Sequence, residues 1–326
     1  MKLSIVNRFS IWFFLLLFGS MLQAHSQDSL YRFKAKGNPV ITHKFTADPA
    51  AIVEDGTLWM YTGHDFEGRQ KGYKMKDWCV FSTTDMQNWT EHPVPLKITD
   101  FSWAKSGDAF AGHVAKKNGK YYWYISTNWT GIGVAVSDHP EGPFKDALGK
   151  PLLTNEDCFA SDHSWACIDP AIFTDDDGQS WIFWGNGECY YAKLKDNMIE
   201  IDGEIKQVKF EGFVFEEAPW IHQKDGKYYL TYASGFPEKI AYAMADQIEG
   251  PYEYKGILNE IAGNSNTNHQ SIVEFKGNWY FLYHNGGMQR EGNSYSRSVC
   301  IDKLVYNPDG TIKRVVMTSE SVPPLK

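Results

Sequence analysis

The sequence predicts an all-β chain folded as a five-bladed β-propeller, and three observations predict it. A turn-centred segment recurs five times along the 326 residues, amphipathic helical stretches are almost absent, and aromatic residues make up 15% of the chain. Self-similarity at a near-constant period marks repeat architectures, and aromatic side chains favour strands. Each repeat is a short apolar run, a polar turn ending in glycine, then an aromatic-rich run. The turns end at Gly56, Gly119, Gly178, Gly226 and Gly277, in steps of 63, 59, 48 and 51 residues. Asp-Gly or Asn-Gly between two β-prone runs signals a tight hairpin, and four of the five turns carry it. Each segment is therefore expected to be a β-hairpin.

A further strand follows each hairpin, at Cys79–Ser82, Ile132–Val136, Cys189–Ala192, Ile240–Met244 and Ser298–Ile301. Two of these run into matching tails, Ser137-Asp-His-Pro-Glu-Gly-Pro-Phe144 and Ala245-Asp-Gln-Ile-Glu-Gly-Pro-Tyr252, as true repetition requires. The period suits one four-stranded sheet per repeat, and five such sheets set radially make a propeller. A TIM barrel, the main rival, needs helices between strands. One propeller over residues 25–326 uses the whole chain after the leader and leaves no room for an appended binding domain.

Residues 1–24 obey a different rule. Lys2 and Arg8 precede an apolar run from Ile11 to Leu22 that ends at Gln23-Ala24, the pattern of a cleaved secretory signal. The alternative, a membrane anchor, asks for a run of roughly 20 apolar residues. An exported protein, periplasmic or extracellular, is expected, with no membrane insertion after cleavage. A net charge of −8 argues against a nucleic-acid partner. The five cysteines, Cys79, Cys158, Cys167, Cys189 and Cys300, are an odd number, so at least one thiol stays unpaired within the chain. Cys158 and Cys167 are close enough in sequence to bridge; buried free thiols are the alternative. No cysteine stands in a zinc spacing.

A short polar motif precedes each hairpin glycine, where an innermost strand would begin beside the propeller axis. The motifs are Thr46-Ala-Asp48-Pro49, Phe110-Ala-Gly-His113, Cys167-Ile-Asp169-Pro170, Glu216-Glu217-Ala218-Pro219 and Asn268-His269-Gln270. Radial symmetry would bring three carboxylates and two histidines to one end of the central channel. Burial and mutual repulsion there split carboxyl pKa values, so that one group stays a proton donor while another stays ionised. This is an acid–base constellation. Trp103, Phe110, Trp165 and Phe236 lie in loops near these motifs and could wall a sugar site, core packing being the alternative for each. The run Asp175-Asp-Asp177-Gly178 is calcium-loop-like but lacks the later Glu and sits in a turn.

Ala-Asp48-Pro, Ile-Asp169-Pro, Glu217-Ala-Pro-Trp and Asn268-His269-Gln-Ser-Ile-Val-Glu-Phe-Lys-Gly, one per blade, together resemble glycoside hydrolase family 43 from about Asn38 to Val316. The resemblance implies a five-bladed propeller that cleaves arabinose- or xylose-containing polysaccharides with inversion at the anomeric carbon. It implies Asp48 as general base, Glu217 as general acid and Asp169 as the residue that tunes and orients Glu217, with Glu216 a competing acid. An inverting pair stands about 6.5–9.5 Å apart, wide enough for a water. The resemblance further implies no required cofactor, a channel metal such as calcium, or a water, beside His269, and an Arg297 that reaches sugar hydroxyls. A surface salt bridge is the alternative for Arg297. His113 stands where many relatives carry Asp, a departure that alters the channel or its sugar contacts. His113, Trp103, Phe110 and Arg297 are thus the candidate substrate contacts. The expected function is an exported exo-acting β-xylosidase or α-L-arabinofuranosidase; an endo-acting arabinanase or xylanase and a non-catalytic sugar-binding propeller are the alternatives.

Overall fold

The turn sequences account for the local structure first. A two-residue type I′ hairpin loop needs positive φ at both positions, which Asp, Asn and Gly supply at least cost. Asp55-Gly56, Asn118-Gly119 and Asp225-Gly226 all adopt it, with φ of 48° to 51° at the first residue and 73° to 75° at the glycine. Lys276-Gly277, which lacks the signature, adopts the same conformation at 50° and 72°. Asp177-Gly178 does not. There the ladder ends at Thr174 opposite Ser180, leaving a longer loop whose Asp175 carboxylate accepts the Tyr228 hydroxyl of the next blade at 2.7 Å. The acidic run is a turn that links two blades.

The computed structural model describes residues 30–323 apart from 69–70, 105–106, 128–130, 211 and 213. The expected secretory signal over residues 1–24 lies outside the described residues. All five sheets are antiparallel and together form a five-bladed β-propeller. Their innermost strands are Phe45–Glu54, Gly112–Lys117, Ala171–Thr174, Glu217–Lys224 and Gln270–Phe275. Each packs beside the next, and the fifth returns to the first. Blades 2, 3 and 4 have four strands as the period predicts, whereas blade 1 has six and blade 5 has three. Blade 1 gains two short strands: Tyr31–Lys34 at its outer edge and Leu96–Lys97, paired with Asp77 and Trp78. Both matching tails turn through a cis Gly-Pro bond, at Gly142-Pro143 and Gly250-Pro251.

Each gap between blades holds its own core. Blades set radially diverge away from the axis, so the gaps widen outward and large side chains are needed to fill them to normal density. Trp78, Trp89, Trp123 and Trp184 are fully buried in these gaps, which is where much of the high aromatic content goes.

Where the ring closes, a few polar contacts add to the apolar core between blades 5 and 1. The outer edge of blade 5, Ser298–Leu304, receives the segment that precedes blade 1: the Val40 N–H donates to the Val299 carbonyl at 3.0 Å. Asn38 does more. Its Oδ1 accepts the Ile301 N–H at 2.9 Å, and its Nδ2 donates to the Thr318 carbonyl at 2.9 Å. Removing a buried group that satisfies backbone partners leaves them unpaired, at about 1–3 kcal/mol. Asn38→Ala is therefore expected to lower the unfolding free energy by about that much, measured by urea denaturation, with the folded far-UV spectrum unchanged.

Candidate active site

Three residues at the blade heads break the strand pattern in the same way. Asp48, Asp169 and Ala218 have φ of 51°, 58° and 56°, and each precedes a proline. Proline has no N–H for the ladder and crowds the residue before it. The pairing slips at two of these sites, between Ala47 and Ala50 and between Glu217 and Trp220. Non-glycine residues held at positive φ store strain, which concentrates at functional sites. Ala218 holds the place in blade 4 that aspartate holds in blades 1 and 3, so Glu217 stands one residue earlier and carries a longer side chain.

Asp48, Asp169 and Glu217 line one cavity of about 250 Å³ at the head of the blades. Asp48 is buried, yet the charges around it outweigh burial. Arg297 Nη1 donates to Asp48 Oδ1 at 2.9 Å and His284 Nδ1 lies 3.1 Å from the same oxygen. Burial pushes the carboxyl up, but the Arg297 guanidinium and His284 hold it well below the ordinary range. Asp48 is ionised.

Glu217 and Asp169 behave oppositely. Burial, with the nearby charges of Asp48 and Glu216, raises Glu217 to about 7 against the opposing hydrogen bond from Asn186, whose Nδ2 lies 2.7 Å from Oε2. Asp169 is pushed well above the usual value by burial and by its neighbours Glu217 and Asp48. Its Oδ2 accepts the Ala218 N–H at 3.1 Å, which ties it to the backbone that carries Glu217. The cavity therefore holds one permanently charged carboxylate and one that carries a proton up to about neutral pH. Glu216 also lines the cavity and is raised by burial.

Other expected contacts resolve differently. Arg297 is only 3% exposed, so a surface salt bridge is excluded. Its Nε and Nη2 grip both oxygens of the buried Asp65 at 2.9 Å each. With Nη1 on Asp48, the guanidinium holds two carboxylates while also lining the cavity. Phe110 does line the cavity, stacked on Trp165 with ring centres 5.6 Å apart and planes 17° apart. Phe236, 66% exposed, stands on the rim.

His113 is not among the cavity residues, because blade 2 presents Phe110 and Ala111 there. His113 lies inside the strand, stacks on Trp220 at 4.5 Å and accepts the Ile172 N–H. Burial lowers it to about 3, so it is neutral. Trp103 is elsewhere too, packed on Phe101 and donating to Asp146 at 3.0 Å. Both are packing residues in this fold, which corrects their expected place at the sugar.

His269 lines the cavity, its Nδ1 lying 4.0 Å from Asp48 Oδ1 and 3.8 Å from Asp169 Oδ2. Burial lowers it to about 4, leaving it neutral. Calcium needs about six to eight oxygen ligands. Beside His269, one oxygen of each carboxylate is engaged, Asp48 Oδ1 by Arg297 and Asp169 Oδ2 by the Ala218 N–H. Among the described residues, the group spaced for a metal is His64, Asp77 and Cys79 in blade 1, a nitrogen, oxygen and sulfur set unlike calcium's.

Motif reading missed Asp65, Asn186, Glu238 and His284. Glu238 is 2% exposed, lines the cavity and accepts the Asn268 N–H at 2.6 Å. Burial and the neighbouring Glu217 raise it well above the usual carboxyl value. None of the four sits in a repeated motif, so only the folded arrangement shows them.

The model of the glycosyl hydrolases family 43 matches residues 36–312. The chain belongs to glycosyl hydrolase family 43. Membership makes it a glycosidase on a five-bladed propeller. Among family 43 relatives, a xylosidase/arabinosidase of Humicola insolens is 33% identical over 84% of this chain and 98% of its own length. A xylosidase/arabinosidase of Bacteroides ovatus is 32% identical over 86% and 97%. An α-L-arabinofuranosidase of Clostridium thermocellum, 37% identical, superposes with a TM-score of 0.72 over 86% of this chain and 96% of that one. A β-xylosidase/α-arabinofuranosidase from a compost metagenome, solved with xylotriose in a calcium-free form, is 30% identical, with a TM-score of 0.75 over 87% and 98%.

The raised Glu217 also has a stability signature. The folded chain keeps its proton between about 4.5, the ordinary value, and about 7, whereas the unfolded chain releases it. Stability therefore falls as pH rises through that window. Glu217→Gln removes this dependence. The variant is expected to gain on the wild type by on the order of 1–3 kcal/mol between pH 4 and pH 8, read from urea unfolding at each pH.

Proposed function

We propose that this family 43 glycosidase is an exported, inverting, exo-acting enzyme that releases β-D-xylosyl or α-L-arabinofuranosyl units from plant polysaccharides or oligosaccharides. The observation that carries the reading is the division of labour among three carboxyls in one cavity: Asp48 charged, Glu217 protonated up to about 7, Asp169 bonded to the backbone beside Glu217. The named activities of the Humicola and Bacteroides relatives support the sugar class.

In this mechanism Asp48, kept ionised by Arg297 and His284, takes a proton from the attacking water. Glu217 gives its proton to the glycosidic oxygen as the bond breaks. Asp169 holds Glu217 in place through the Ala218 N–H, while burial and the charge of Asp48 keep the proton on Glu217 until it is needed. Stacked Phe110 and Trp165 offer an apolar face to a sugar ring. No step requires a metal or cofactor.

General acid–base groups contribute about 10²–10⁴-fold each. Asp48→Asn is expected to lose that much activity on both nitrophenyl glycosides and xylo- or arabino-oligosaccharides. Glu217→Gln is expected to lose it on oligosaccharides but far less on nitrophenyl glycosides, since nitrophenolate leaves without a proton. Equal losses on both substrates for Glu217→Gln would reject the acid role. NMR of the first-formed anomer checks inversion, and internal cleavage of polymeric arabinan or xylan would replace exo with endo action.

The rate should follow the same charges. kcat/KM is expected to stay level at mildly acidic pH and to fall as pH rises above about 7, where Glu217 loses its proton. Asn186 opposes that raised value, so Asn186→Ala is expected to move the alkaline limb to higher pH, as measured by a full pH–rate profile.

A further inference from the structure

Beside the cavity, the loop from Cys158 to Cys167 is closed at its base by one side chain. Asn155 Oδ1 accepts the Cys167 N–H at 3.0 Å while its Nδ2 donates to the Ser164 carbonyl at 2.8 Å. The Asn155 carbonyl also accepts the Cys158 N–H at 3.1 Å. These bonds bring the two ends of the loop together, and Cys158 and Cys167 pack into one and the same core cluster. Both are at most 1% exposed, in the core between blades 2 and 3. The other three cysteines are separated from them and from one another: Cys79, Cys189 and Cys300 each sit in a different inter-blade core.

We propose that Cys158 and Cys167 form a disulfide when the protein folds under oxidising conditions, and that this bond fixes the 159–166 loop against the cavity. The step is a thiol–disulfide exchange that starts from the Cys158 thiolate. That thiolate attacks a disulfide oxidant such as glutathione disulfide and expels one glutathione thiolate. Cys167 then attacks the mixed disulfide and expels the second. Two protein thiols lose two electrons and two protons, and the oxidant becomes two thiols. The finished core covers both sulfurs, so the bond is made while the loop is still open.

The loop reaches the cavity at three points. His163 and Trp165 line it, and the Ala166 carbonyl accepts the N–H of Asn186 at 3.1 Å, the residue whose side chain holds Glu217. Phe159, 64% exposed, is a ready cleavage site for chymotrypsin when the loop moves.

The test needs no enzymatic readout and so stands apart from the catalytic reading. The mature chain is refolded with a glutathione redox pair or with dithiothreitol, then denatured and alkylated with iodoacetamide. Three alkylated thiols are expected after the glutathione pair and five after dithiothreitol. Proteolysis before Asp162 should leave the Cys158 and Cys167 peptides joined. Cys158→Ser and Cys167→Ser should each retain four alkylated thiols in either buffer. Chymotryptic cleavage after Phe159 should be several-fold slower in the oxidised protein than in the reduced one. Five alkylated thiols in folded, glutathione-treated protein, or a bond to another cysteine, would overturn the disulfide. Equal cleavage rates in the two redox states would overturn its hold on the loop.

Discussion

Arg297 is the contact on which the site and the ring both depend. Its guanidinium bridges Asp48 and Asp65, which open and close the first hairpin of blade 1, from a position just ahead of the last strand of blade 5. One buried cation thus joins the first blade to the fifth at the axis. Breaking a buried pair by removing one partner strands the other charge, at about 3–5 kcal/mol. Lysine would not replace it, because only a planar fork can hold one carboxylate through two nitrogens and offer a third to another. The same contact keeps Asp48 charged in a place where burial alone would neutralise it. Stability and chemistry share this residue.

A second constraint follows from radial geometry. Five sheets that meet at the axis bring their heads within reach of one another, so side chains from distant parts of the sequence share one small, partly dry space. Dryness separates the acids. Asp48 has a cation and remains ionised, whereas Glu217, Asp169 and Glu238 have none so close and are all pushed upward. The arrangement needs no unusual residue types, only unequal access to one guanidinium. The cost of crowding appears in the left-handed backbone at Asp48, Asp169 and Ala218, held by the rigid blades behind them.

Motif reading failed where a residue's role depends on the direction of its side chain rather than its place in a repeat. His113 follows the blade-head pattern, yet it lies within the strand, so its ring meets Trp220 instead of the cavity. Arg297 was legible as a candidate, but its engagement with Asp65 was not, since the two lie far apart in sequence and share no motif. Glu238 and His284 carry no sequence signal at all; Glu238 enters the site because a loop passes the cavity, and His284 because a strand ends beside Asp48.

By itself the sequence determined the periodic part of this protein: five hairpins, their order, the β-class, and which three carboxyls stand at the blade heads. Those properties are local or repeated, and turn chemistry and alternation write them into neighbouring residues. Only the tertiary structure decided which carboxyl is charged, which aromatic rings face the cavity, and how unequal blades close the ring. Each of these is set by contacts between residues far apart in the chain, and the strength of such contacts depends on burial, which no short stretch of sequence specifies.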